Sequence, residues 1–356
     1  MRGVNIAGMM TTLALLGSLL LSGCERPPVL WQQESYVFGT RVKITTADAP
    51  ESVARPAVSA ALADLDRWHV RLHAWRDDSE LTRINRALAE DQWTRTDPEV
   101  FALLRQAQQM SSAAEGLFNP AIGQLVALWG FHADSFAPVT PDPAALRRLI
   151  ASAPDMSDVQ LDGGQVRSHN RNVSFDLGGM AKGWALDRVA ERLREAGIKS
   201  ALINIGGNIL ALGSKGNEPW KVGLQAPRDN QAMAVIVLRD GEALGTSGDY
   251  QRYFELNGVR YCHLIDPRTG SAACQRQAAT VLVENGLDAG LRSDVASKPL
   301  FFAPRTDTAR LAARFDIRDV MLVETDGHAW LSPRMHQRVQ WLQRPAKVDT
   351  LSGFPS

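Results

Sequence analysis

"DLGGMAKGWALD", residues 176–187, reads as a strand, a tight double-glycine turn and the start of a helix. That is the layout of a phosphate-binding loop, yet it matches neither the dinucleotide fingerprint nor the Walker pattern. Lys182 falls in the first helical turn. The macrodipole is positive there, so a cation is disfavoured by roughly 0.3–1 kcal/mol unless an anion offsets it. Gly183 follows and costs roughly 1 kcal/mol against alanine inside a helix. A phosphate at the helix N-terminus accounts for both features. The alternative is a plain βα turn in which the glycines supply positive φ and Asp176 satisfies the turn.

Upstream, "VQLDGGQVRSHNRNVSFDL" (159–177) reads as a hairpin feeding this turn. Downstream, Trp184, Val189, Ala190 and Leu193 form one apolar helical stripe, with Gly197 as a C-terminal stop. "ALINIGGNILALG" (201–213) is a buried strand interrupted by Gly206-Gly207, where a bulge or a close ligand approach is expected. Segments 221–227, 233–248, 251–266 and 278–285 continue as strands, and Asn257-Gly258 is a strong hairpin signal. Residues 288–303 read as helix and 318–333 as a last hairpin, with a short irregular tail beyond. Nearer the N-terminus, "YVFGTRVKITTA" (36–47) alternates like a half-buried strand, and 51–75 has helical periodicity. Capped helices are expected after Ser79, after Asp97-Pro98 and after Asp142-Pro143. The class is α+β, with a large, mostly antiparallel sheet packed with helices.

The chain has 356 residues, with 39 basic and 39 acidic side chains balancing to zero formal charge, and is 45% hydrophobic. Zero net charge gives no electrostatic case for a nucleic-acid partner. Residues 1–23 combine Arg2 with a short apolar run, too short for a comfortable membrane span, and read as an export signal. Leu21-Ser22-Gly23-Cys24 resembles the lipobox of bacterial lipoproteins, which makes Cys24 the lipidation site; a plain secretory signal is the alternative. Residues 24–34 then serve as a tether and 35–345 as the folded domain. Cys262 and Cys274 flank the turn "HLIDPRTGSAA" and read as two unpaired thiols, a bridge between them remaining open.

Six polar, glycine-punctuated stretches lie between apolar elements: "FNPAIG", "DLGGMAKG", "NIGGN", "GTSGDYQRYF", "HLIDPRTG" and "SDVASK". Together they point to loops converging on a polar ligand, the alternative being the ordinary turns of an antiparallel protein. His263 suits general-base work at neutral pH, or is a partly buried strand histidine. Arg268 contacts a phosphate or braces its turn. Asp294 is a hard-cation ligand or a helix-start carboxylate.

In their order and wording these stretches resemble the ApbE family of flavin transferases. "FNPAIGQLVALWGF" is similar to the family's F-D-P-x-x-G-P-L-V-x-L-W-G-F, and "DLGGMAKGWALDRVAERL" to its D-L-G-G-I-A-K-G-Y-A-V-D-R. The resemblance runs from "YVFGTRVKI" to "SPRMHQ" and implies an ApbE-like, T-fold-like architecture. It implies a transferase that uses FAD and Mg²⁺ and moves FMN from FAD to a Thr or Ser hydroxyl of a target flavoprotein subunit, releasing AMP. It also implies a flavin-carrying subunit of a membrane redox complex as partner, and a lipid-anchored place on the periplasmic face of the bacterial inner membrane. Glu25 leaves the outer membrane open as well. Some relatives hydrolyse FAD instead, and a non-catalytic FAD-binding lipoprotein is a further alternative.

Position by position, the resemblance assigns Phe38, Trp75, Leu117, Phe118, Asn119, Asp176, Lys182 and Ile265 to FAD, Asn119 replacing the usual Asp. His263 takes the place of the residue that activates the acceptor hydroxyl. Gly179, through its carbonyl, Asp294 and Ser297 take metal positions. Where the family has a threonine ligand followed by alanine, this chain has Lys298 and Pro299. A protonated lysine cannot ligate a cation, and proline is expected to disturb the helix. Either Mg²⁺ is held by fewer ligands, or the Lys298 ammonium stands in or beside its place.

Overall fold

The structure is a computed structural model that describes residues 28–133 and 137–355. The expected signal segment and Cys24 lie outside the described residues. One nine-stranded sheet organises the chain. Its strands are β1 (Leu30–Val37), β2 (Thr40–Ala47), β3 (Ala201–Ile205), β4 (Asn208–Leu212), β5 (Ala243–Gly248), β6 (Ala278–Val283), β7 (Asp319–Val323), β8 (Ala329–Leu331) and β9 (Val348–Thr350). They lie side by side in that order. Neighbours are antiparallel except β8 and β9, which are parallel.

Period-two alternation sorts the side chains between two cores. Ile203, Ile205, Leu210, Leu212, Val281, Val283, Val320 and Leu322 face one core; Ile209, Ala211, Leu244, Leu282, Met321 and Val323 face the other. Both faces are covered, which is why β4, β6 and β7 are buried along their whole length. Helices α1 (Glu51–Leu72), α2 (Ala181–Glu195) and α3 (Ala289–Phe302) pack into the first core. A three-stranded sheet of Trp220–Gln225, Ala232–Leu238 and Val339–Trp341 covers the second.

The helix α2 ends as expected: Gly197 takes φ +80 and Ile198 N–H bonds back to Leu193 O (2.9 Å). Helices α2 and α3 cross almost backbone to backbone. A Cβ on Gly183 would lie 2.4 Å from Gly290 O, and one on Gly290 would lie 2.5 Å from Gly183 O. Gly183 therefore answers to helix packing rather than to a ligand. From α2, Asp187 accepts the N–H groups of Gly290 and Leu291 (2.8 Å each) and so caps α3 across the crossing. Burial pushes its carboxyl up to about 7.

Several expectations need correction. "YVFGTRVKITTA" is not one strand but the end of β1, a two-residue turn and β2; Phe38 (φ 55) and Gly39 (φ 65) both take the left-handed conformation this tight turn requires. Gly206-Gly207 makes the same kind of turn between β3 and β4. Residues 173–177 form no regular strand; Ser174 only bridges to Ile122. Gly178 and Gly179 are not among the positive-φ glycines, so that part of the plain-turn reading fails, whereas Asp176 does satisfy the turn by accepting Gly178 N–H. Pro299 lies inside α3, which continues to Phe302 on the packing of its wholly buried far end. The expected tether gives way at Leu30, where β1 begins, because β2 offers it a pairing edge. The expected end at 345 is passed by β9, and the tail also carries the helix Pro333–Arg338 and the strand Val339–Trp341. Cys262 and Cys274 are free thiols, and contact with Cys274, then burial, pushes the Cys262 thiol well up.

Candidate active site

Both two-residue turns, the N-terminus of α2 and the middle of α3 open onto one cleft of about 390 Å³. Phe38, Trp75, Leu117, Phe118, Asn119, Asp176, Gly179, Lys182, His263, Ile265 and Asp294 all line it, so the structure brings nearly every site residue expected from the sequence to one place. Ser297 is buried behind this wall, its hydroxyl held 2.7 Å from Ser247 Oγ and donating to Asp294 O (2.8 Å).

At the N-terminus of α2, Asp176 accepts Gly178 N–H (2.8 Å) with one carboxylate oxygen and the Trp75 indole N–H (3.2 Å) with the other. Lys182 reaches back to Gly178 O (3.3 Å). Asn119 spends its amide on the local turn, donating to Pro154 O (2.8 Å) and accepting Ala121 N–H (3.0 Å). Arg268 braces its own turn through two bonds to Asp266 (3.0 and 2.7 Å), which settles the choice left open by the sequence.

His263 is half-buried on the strand Val259–Asp266. Its Nδ1 lies 3.2 Å from Arg252 O; a carbonyl only accepts, so Nδ1 carries the hydrogen and Nε2 keeps a lone pair. Burial, then the Lys182 and Arg252 charges, depresses the ring to about 3, so it is neutral at ordinary pH.

Asp294 is 2% exposed. One of its oxygens accepts Gly183 N–H (2.9 Å), and the other lies 2.7 Å from Lys298 Nζ, which also donates to Asp294 O (2.7 Å). Burial raises this carboxyl, but Lys182 and Lys298 outweigh it and hold it below the usual range. The expected Mg²⁺ set of Gly179, Asp294 and Ser297 does not fit this arrangement. Mg²⁺ is ordinarily held through one or two carboxylates, with water and phosphate oxygens completing its shell. Here the Lys298 ammonium already occupies the free side of the one carboxylate in the set, and the Ser297 hydroxyl is committed elsewhere. Among the described residues no cluster of three or more His, Cys, Asp or Glu side chains offers another centre.

Aromatic rings line the rest of the cleft. Phe38 meets His69 edge-on (5.6 Å between centroids), His69 meets His73 (5.3 Å), and Trp75 leans on His132 (5.4 Å). These three histidines were not anticipated. His69 and His73 were signalled in "RWHVRLHAW", where a spacing of four sets both on one helix face. His132 sits in a loop with no local signature. Arg252, donating to Phe131 O and Ala133 O (3.1 and 2.8 Å), was also missed.

Fold and cleft thus define an α+β protein whose single large sheet supports a cationic pocket walled with aromatic rings. The chain belongs to the ApbE family, whose profile matches residues 38–322. A FAD:protein FMN transferase from Rhodobacter capsulatus is 37% identical over 98% of this chain and 65% of its own length, so this chain spans about two thirds of that relative. One from Vibrio cholerae is 28% identical over 88% of this chain and 93% of its own. The crystal structure of the ApbE protein from Thermotoga maritima superimposes with a TM-score of 0.77 at 26% identity, covering 87% of this chain and 99% of that one. The apo flavinyl transferase ApbE from Pseudomonas stutzeri shares the fold, with a TM-score of 0.74 at 24% identity over 88% of this chain and 98% of that one.

Proposed function

We propose that this protein transfers FMN from FAD to a Thr or Ser hydroxyl of a target flavoprotein subunit and releases AMP. The observation that carries the reading is the meeting of Lys182, Lys298 and a neutral His263 in one cleft with aromatic walls. The ammonium groups suit a diphosphate and the rings suit flavin or adenine. In the step, the acceptor oxygen attacks the FMN phosphorus while its proton passes to His263 Nε2. The bond between that phosphorus and the bridging oxygen breaks, and AMP leaves with the electron pair. Lys182 offsets the negative charge that builds on the leaving phosphate, and fixed positioning supplies much of the remaining advantage. The names borne by the relatives favour the same activity. Purified protein incubated with FAD and a flavin-accepting subunit is expected to leave a fluorescent band on that subunit in a denaturing gel. No band, where the Vibrio cholerae relative gives one, refutes transfer; AMP release without a band would assign hydrolysis instead.

We also propose lipid anchoring at Cys24 on the periplasmic face of the inner membrane, which the sequence of residues 1–24 supports. No helix among the described residues is long and apolar enough to cross a membrane. Cys24→Ser is expected to move the protein from the membrane fraction to the soluble fraction, and unchanged fractionation would refute the anchor.

A further inference from the structure

We infer that Lys298 is a built-in cation that takes the place of a divalent ion, so that the cleft binds the diphosphate of FAD without metal. The inference rests on FAD being the ligand. Three observations carry it. First, the ammonium lies 2.7 Å from both Asp294 Oδ1 and Asp294 O, two oxygens that a bound cation would otherwise use. The remaining Asp294 oxygen is spent on Gly183 N–H and the Ser297 hydroxyl on Asp294 O and Ser247, so the surroundings of Asp294 are saturated with the lysine in place.

Second, Lys298 reaches the cleft rather than ending behind it. It lines the cavity with 12% of its side chain exposed, while Asp294 beneath it is 3% exposed. Its stem lies along the turn ahead of α2: a Cβ on Gly179 would come 3.2 Å from Lys298 Cε and 3.2 Å from Phe118 Cε2. The missing side chain at 179 therefore makes room for the lysine stem. The ammonium arrives beside the helix N-terminus that Lys182 also faces, where an anion is favoured.

Third, the charges balance for an anion. Among the charged side chains that line the cavity, Lys182, Lys298 and Arg252 stand against Asp176 and Asp294, which leaves a surplus of one positive charge. Burial and Lys182 pull the pKa of the Lys298 ammonium down, and its contact with Asp294 opposes them. A divalent ion brought to the same oxygens would meet the Lys298 ammonium at contact distance, and their repulsion opposes its binding.

The test measures FAD affinity by flavin fluorescence on the full chain, in excess EDTA and again in millimolar Mg²⁺. The wild-type protein is expected to bind FAD equally in both, within about twofold. Lys298→Thr and the closer isostere Lys298→Gln should each lose at least about tenfold in EDTA, the size of one charge-assisted contact. Mg²⁺ should restore Lys298→Thr, whose hydroxyl can ligate, and not Lys298→Gln. Manganese resonance spectra should show no tightly bound Mn²⁺ in the wild type and one ion in Lys298→Thr. A tenfold gain in wild-type affinity with Mg²⁺, or either variant binding FAD in EDTA as well as the wild type, overturns the inference. The wild-type comparison needs no variant and decides the question even if both substitutions unfold the protein. Failure to bind FAD in either buffer overturns the functional reading as well, which separates the two failures.

Discussion

His263 shows how much of a catalytic side chain lies outside its own identity. The sequence marks it as a histidine at the end of a strand. It does not reveal that Arg252 O fixes the tautomer, because that contact comes from a neighbouring loop brought close by the fold. Nor does it reveal the field of Lys182, eighty-one positions away. With its folded value depressed to about 3 from 6.5, the ring binds a proton more readily in the unfolded chain. The stability it contributes is present above pH 6.5 and is lost as pH falls toward 3. A diphosphate beside Lys182 cancels part of that field, so FAD should lift the ring's titration. We expect the His263 ring to titrate below pH 4 in the free protein by NMR, and clearly higher with FAD bound. We expect His263→Gln to slow flavin transfer by about 10²–10⁴ while FAD affinity stays within about threefold. A variant that transfers at the wild-type rate removes His263 from the chemistry. Residues such as Asp176, Lys182 and Asp294 were legible because each sits in a local pattern that its neighbours explain; His132 and Arg252 were not, since only the tertiary fold gives them a role.

At the scale of elements, the helices were legible from their caps and stripes, whereas the reasons for their glycines were not. Gly183 reads in sequence as a weak point tolerated for a ligand, but the crossing of α2 and α3 explains it without one. The same crossing places Gly183 N–H on Asp294 and Asp187 on the start of α3, so one contact sets both packing and the charged floor of the cleft. Gly183→Ala would put a methyl 2.4 Å from Gly290 O and 2.5 Å from Asp294 Cβ. Overpacking of this kind costs about 1–3 kcal/mol, so the melting temperature should fall by several degrees and FAD should bind more weakly as Asp294 is displaced. Calorimetry and a flavin titration check this together; a variant that melts and binds like the wild type would show that the helices can separate freely. Pro299 carries the complementary lesson. Its sequence effect is a lost hydrogen bond, and the buried packing of Leu300, Phe301 and Phe302 holds the helix past it.

At the scale of the whole molecule, the strands appear in space in the order of the chain, yet that order could not be read from the sequence. Residues 48–200 separate β2 from β3, and local periodicity says nothing about which strands close across such an insertion. The apparent end of the domain failed for a related reason. Residues 342–347 look irregular because they show no periodicity and contain Pro345, but they carry the chain to β9, which pairs with β8 and covers its edge. Lys347 O accepts Ala329 N–H (3.0 Å), Leu351 N–H donates to Leu331 O (2.8 Å), and the Leu351 side chain is 3% exposed in the core beneath the sheet. Burying one leucine contributes about 1.5–3 kcal/mol, and an uncovered strand edge invites pairing with another chain. A chain ending at Gln343 should therefore melt several degrees lower and associate as its concentration rises, by calorimetry and light scattering. If the shortened protein melts like the full chain and stays monodisperse, β9 is an ornament of the sheet; if it does not, the domain extends to Leu351 and its last strand protects the edge farthest along the sheet from the cleft-bearing hairpin of β1 and β2.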